Sequence, residues 1–145
     1  MGNILLDTNV VSELMREAPS AEVLAWFANQ QGASFFVSAI THAEILLGIA
    51  MLPAGKRRSQ LARIAEQVLA EDFAGRSWPF DDACAPEYAL LVATQRSQGR
   101  AISTEDAQIA AIALVRGVPL ATRNVKDFVG ITGLTVVNPW AAANG

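Results

Sequence analysis

The stretch Ile4-Leu5-Leu6-Asp7-Thr8-Asn9 decides how the rest of the chain is read. Three aliphatic residues in a row, stopped by an acid, predict a strand buried on both faces. Asp7 or Thr8 can then cap a helix over residues 8–15. A carboxylate that ends a buried strand has to be capped, paired or bound to something. Two readings of Asp7 therefore stay open: a helix cap, or an acid placed for chemistry.

Working outward, the same kind of unit recurs. Helical spacing of Val23, Leu24 and Phe27 predicts a helix over 20–31, and residues 34–37 form a second strand candidate. A helix over 41–52 carries an apolar face of Ala43, Leu46, Leu47, Ala50 and Met51, and Pro53 ends it. Leu61, Ile64, Val68 and Leu69 keep helical register over 56–74. Residues 76–80 give a third strand, which Pro79 assigns to a sheet edge. Two further helices, 81–98 and 103–116, stop at Gly99 and Gly117, and strands follow at 119–122 and 134–137. Strands alternating with helices predict an α/β fold with a parallel sheet and helices on both faces. Ligands of such sheets bind beyond the carboxyl ends of the strands, which is where Asp7 falls.

Composition narrows the chemistry. The chain has 145 residues, 52% of them hydrophobic and 17% charged, and is read as one domain over 1–145. Its mean hydropathy is +0.28. One cysteine, Cys84, excludes an internal disulfide framework and points to a reducing, cytoplasmic compartment. With His42 as the one histidine, no Cys/His zinc site can be assembled within a chain. No G-x-S-x-G stretch offers a nucleophilic serine. Any bound metal must sit on oxygen ligands, which suits magnesium or manganese. No run is long enough to span a bilayer. A net charge of −3 and a pI of about 5.1 argue against broad, unspecific nucleic-acid binding.

Ten of the fourteen acids, Glu13 among them, lie in polar or helix-surface surroundings and read as solvated charges. Four differ. Asp7 ends a buried strand. Glu44 shares its stripe with Ile40, Leu47 and Gly48, with no basic residue three or four positions away. Asp106 resembles half of a capping box with Ser103, yet it heads the stripe of Ile109, Ala110 and Ala113. Asp127 follows the fourth strand beside Lys126, where a surface position is the simpler reading. Acids gathered at one sheet edge repel one another unless a divalent cation neutralises them. That arrangement suits metal-assisted phosphodiester hydrolysis.

In order and spacing, Asp7-Thr8-Asn9, Glu44, Asp106 within Thr104-Glu-Asp-Ala-Gln-Ile-Ala-Ala, Ala121-Thr-Arg-Asn124, and Asn138-Pro-Trp140 resemble the PIN-domain ribonucleases. The resemblance is to the VapC-like and FitB-like toxins of type II toxin–antitoxin systems, and it covers nearly the whole chain. It implies a PIN-like fold, with a five-stranded parallel sheet flanked by helices and an acidic pocket for Mg2+, with Mn2+ as an alternative. Carried over by position, Asp7, Glu44 and Asp106 would be the catalytic, metal-binding carboxylates. Thr8, Asn9, Thr122 and Asn124 would support the pocket. Many relatives have an acid where Asn124 stands, and Asp127 could take that fourth position instead. Arg123 and Lys126 are candidate RNA contacts. The implied activity is metal-dependent endoribonuclease cleavage. The implied partners are an RNA substrate, a cognate antitoxin and a second copy in a homodimer or larger toxin–antitoxin oligomer, with no membrane.

The remaining features read as structural. The Lys56-Arg57-Arg58 cluster with Arg63 is a solvated helix start, His42 a surface or capping residue, and Cys84 a small packed group. Trp26, Trp78 and Trp140 read as core or interface anchors. Two rival functions remain: a PIN-fold binding module without catalysis, and a magnesium-dependent phosphatase. A haloacid-dehalogenase-like phosphatase would want an acid where Asn9 stands.

Overall fold

A computed structural model describes residues 2–141. Strand β1 (Gly2–Leu6) runs through the middle of a five-stranded sheet of order β3-β2-β1-β4-β5, with every neighbouring pair parallel. The other strands are β2 (Ala33–Ser38), β3 (Ser77–Trp78), β4 (Leu120–Ala121) and β5 (Val136–Val137). The short strand before Pro79 is at an edge, where a missing N–H costs no ladder bond. β1 has partners on both sides, and its register pairs Ile4 with Phe35, Leu5 with Leu120, and Leu6 with Ala121.

The period of two along β1 divides the core. Leu5 faces one layer, with Leu120 and the alanine-rich helix α6 (Thr104–Arg116). Ala107, Ala110, Ala111 and Ala113 have no exposed surface. Their small side chains let α6 lie close to the sheet while Ile109 and Ile112 fill the remaining space. Ile4 and Leu6 face the other layer, with helices α1 (Thr8–Leu14), α2 (Ala21–Ala28) and α3 (Ala39–Ala50). Burying a leucine of this kind is worth roughly 1.5–3 kcal/mol. Gly117 closes α6 in the left-handed conformation, φ 67°, which a residue with a Cβ rarely adopts.

Three expectations are corrected. The apolar face assigned to α3 is its outer face: Leu46, Leu47 and Met51 are 49%, 60% and 76% exposed. The inner face holds Thr41 and Ile45. This helix is apolar nearly all round, so periodicity alone cannot choose a side; a polar demand chooses it, because Thr41 is needed beside Thr8. The helix expected over 56–74 is regular only as α4 (Lys56–Glu66) and continues as a π-helical turn (Gln67–Asp72). Glu13 is buried, 6% exposed, and not a surface charge. Its carboxylate accepts from the Ser20 backbone N–H at 2.8 Å and from Arg16 at 3.3 Å, fastening α1 to the start of α2. A stripe count on α1 would have found it, since Glu13 lies three and four positions beyond Val10 and Asn9.

The remaining helix is α5 (Cys84–Ser97), packed against α6. No helix among the described residues is long and apolar enough to cross a membrane. The chain lays down β1, β2 and β3 in one direction, then places β4 and β5 on the far side of β1. The crevice at this reversal, beyond the carboxyl ends of β1 and β4, is the ligand-binding place of open parallel sheets.

Candidate active site

Asp7 lies in that crevice, 4% exposed. Its reading as a helix cap holds, and its second oxygen is held as well. Oδ1 accepts from the Thr8 backbone N–H at 2.9 Å and caps α1. Oδ2 accepts from the Thr122 hydroxyl at 2.7 Å and the Asn9 amide at 3.1 Å. Thr122, fully buried after β4, uses its whole capacity: its hydroxyl donates to Asp7 and accepts from Asn9 Nδ2 at 3.2 Å and the Asn124 N–H at 3.1 Å. Asn9 closes the ring, with Oδ1 taking the Arg123 N–H at 3.0 Å. Burial pushes the Asp7 carboxyl above its ordinary value, while these three donors pull the other way and the Asp127 charge adds to the rise.

Glu44 reaches the same crevice from α3. Ser38 caps this helix by accepting from the Thr41 N–H at 3.0 Å, which sets the phase of its first turn. The Thr8 hydroxyl donates to Glu44 Oε1 at 2.6 Å, and the Thr41 hydroxyl, at 2.9 Å, supplies a proton to Thr8 in turn. Thr41 was not singled out from the sequence, although it shares the Glu44 stripe at a separation of three.

Asp106 enters from the first turn of α6. Ser103 caps that helix through the Asp106 N–H at 3.1 Å. The half-buried carboxyl is pushed up to about 6, by burial first and then by the charges of Asp7, Asp127 and Glu44, against a weaker pull from the Ser103 bond. Asp106 thus feels the charges of three other acids. Asn124 contributes a backbone N–H, and its exposed neighbour Asp127 brings the fourth charge. Arg123 and Lys126 are exposed on the same loop.

Among the described residues, no three acids close tightly enough to form a finished metal cage. The donor set is nevertheless all oxygen, and the charges that weigh on Asp7 and Asp106 are those of other acids. Such a set fits a hard divalent cation, whose charge would relieve the repulsion that raises Asp106.

Beside the crevice runs a groove of about 760 Å³ between α1, α3 and α4. Thr8 and Glu44 line one part of it, Ile45, Ile49, Leu61 and Ile64 give it apolar walls, and Arg16 and Arg57 add charge. Arg57, read from the sequence as part of a solvated helix start, is thus a groove residue.

The PIN domain family model matches residues 4–131. A plasmid stability protein of Pseudomonas syringae pv. tomato, StbB, is 47% identical over 96% of this chain and 99% of its own. The VapC ribonuclease Y4jK of Sinorhizobium fredii is 41% identical over 97% and 99%. Toxin FitB of Neisseria gonorrhoeae is 39% identical over 94% and 98%. The crystal structure of FitAcB from that organism has a TM-score of 0.81 and 35% identity, covering 95% of this chain and 99% of that one. With the order of its acids, its sheet and these matches in agreement, the chain belongs to the PIN-domain family.

Proposed function

We propose that this chain is a divalent-metal-dependent endoribonuclease, the toxin of a toxin–antitoxin pair. The observation that carries the reading is the hydrogen-bond network that ties Asp7 to Thr8, Asn9 and Thr122 and ties Thr8 to Glu44 at the carboxyl end of β1, with burial and the charges of Asp7, Asp127 and Glu44 raising Asp106 to about 6. The ribonuclease and toxin names of its relatives support the substrate class. Asp7, Glu44 and Asp106 would hold Mg2+ or Mn2+, with Asp127 or Asn124 on the fourth side. When bound, the ion supplies charge neutralisation and Lewis-acid activation for attack on phosphorus. The chain's own residues do the rest. Thr122, Thr8 and Asn9 hold the Asp7 oxygens in place, and the Thr8 hydroxyl keeps Glu44 turned toward the pocket. Arg123 and Lys126 draw the RNA backbone to an otherwise acidic mouth.

The groove beside Glu44 suits an antitoxin segment with an apolar face, which would cover the pocket as it binds. The outward stripe of Leu46, Leu47 and Met51 suits a second copy of the chain.

The test is RNA cleavage by the purified chain, freed of any partner, in magnesium, manganese or EDTA, beside Glu44→Gln. Cleavage that needs the metal and fails in the variant is expected. Cleavage unaltered by EDTA and by the substitution would overturn the proposal. Phosphate release from small esters with RNA left intact would indicate a phosphatase, and RNA retention without cleavage a binding module.

A further inference from the structure

Trp140 lies 133 positions from Asp7 in the chain, yet it meets the pocket through Arg123. The Arg123 guanidinium carbon sits 4.9 Å from the centroid of the indole. Both partners are anchored. The Arg123 backbone N–H is held by Asn9, the residue that also holds Asp7. Trp140 packs half-buried against the Ile4 and Leu6 side of the core, and its backbone N–H donates to Asn138 Oδ1 at 2.9 Å in the turn after β5.

We infer that Trp140 is a positioning residue that holds the Arg123 guanidinium at the pocket rim, ready to take an RNA phosphate next to the one being cleaved. A guanidinium lying over an aromatic ring keeps its N–H edge free for a phosphate. Arg123 is exposed, and among the described residues the one ion pair within reach of a direct contact joins Arg16 to Glu13, not Arg123. The Arg123 charge acts on Glu13, yet among the described residues no ion pair or hydrogen bond commits its guanidinium. A long, exposed arginine left unsupported would lose rotamer freedom on binding; the indole removes part of that loss beforehand. Arg116 over Trp78, at 5.0 Å, is a second pair of this kind, but no hydrogen bond connects it with the Asp7 network.

The inference rests on the ribonuclease reading, and its test separates the two. Binding of a short fluorescent single-stranded RNA of mixed sequence is measured in EDTA across a salt series, and cleavage kinetics are measured with magnesium. The proteins are the parent, Trp140→Leu, Trp140→Phe, Arg123→Leu, the double variant Trp140→Leu/Arg123→Leu, and Arg116→Leu as control. Trp140→Leu is expected to raise KM and Kd roughly two- to fivefold, with kcat little changed. Trp140→Phe should keep most of the affinity. Arg123→Leu should lower the salt slope by about 0.7, the value for one phosphate on a single strand. The double variant should bind no worse than Arg123→Leu, because the ring acts through the arginine. Additive losses, or a Trp140→Leu defect confined to kcat and thermal stability, would overturn the inference. If Trp140→Leu fails to fold, Trp140→Phe decides, since a phenylalanine that binds and titrates with salt like Arg123→Leu would also contradict it. A parent that binds RNA with these dependences but never cleaves it would refute the ribonuclease reading and leave the Arg123–Trp140 assignment standing.

Discussion

Asp7 and Asp106 stand at the same edge of one sheet, and the protein treats them oppositely. Asp7 is buried, and each of its oxygens has a donor from the chain itself. Asp106 is half-buried, and Ser103 takes its backbone N–H while its carboxyl is pushed up to about 6. The β1 corner is thus a finished, rigid structure, and the α6 corner is left short of positive charge. A pocket with one firmly held acid and one less supported acid would suit the proposed cation, and the held acid would set where that cation sits.

The comparison breaks most visibly at Asp7. Asp7→Asn removes the charge and turns an amide N–H2 toward the Thr122 and Asn9 donors. RNA cleavage is expected to fall about 10³-fold, the scale of several kcal/mol of lost transition-state stabilisation. Single-turnover rates measure this, with melting temperature as the check that the fold persists. A smaller loss than that of Asp106→Asn would invert the assignment of the fixed and the unrelieved acid.

Thr122→Val tests the rigidity of the β1 corner. It strips partners from Asp7, Asn9 and the Asn124 N–H in a fully buried place. The expected costs are about 1–3 kcal/mol of stability and a 10- to 100-fold loss of metal affinity, on the scale of orienting hydrogen bonds around a metal site. Denaturant unfolding and metal titration read them. An unchanged metal affinity would show that Asp7 needs no holding.

The α6 corner predicts the smallest effect, in pH dependence. The folded carboxyl of Asp106 is raised from 3.8 to about 6, so the unfolded chain releases this proton first as pH rises. The contribution of Asp106 to stability is therefore fully present below about pH 4 and lost by about pH 7. At full value the displacement corresponds to about 3 kcal/mol, and screening by water at a half-exposed carboxyl reduces it to about 1–2 kcal/mol. Metal-free protein should lose stability over this range, Asp106→Asn should lose less, and added magnesium should restore it at neutral pH. Identical pH profiles for the parent and Asp106→Asn would remove the α6 corner from the comparison.

Much of the fold was legible. The Ile4–Leu6 run, the Pro79 edge and the Gly117 stop each report a local constraint, either a bounded apolar run or a backbone preference, that needs no distant partner. The strand ends then placed Asp7 correctly. Asp106 was legible because its stripe continues into Ile109 and Ala110, which are buried. Glu13 was misread and Thr41 passed over because their roles lie in partners elsewhere, the Ser20 N–H and the Thr8 hydroxyl; Trp140 packs against the core as an anchor, and only its Arg123 contact was out of reach of the sequence.

The sequence by itself determined the element order, the parallel α/β class and the oxygen-only character of any metal site. Those depend on periodicity and on residue counts. Only the tertiary structure decided which side of α3 faces inward, that Thr122, 115 positions away, joins Thr8 and Asn9 in holding Asp7, and that Trp140 lies against the Arg123 guanidinium. Each of these is a choice between chemically similar surfaces. It is settled by which polar groups must find partners once β1, β2 and β4 bring their ends together, and that demand exists only after the sheet has formed.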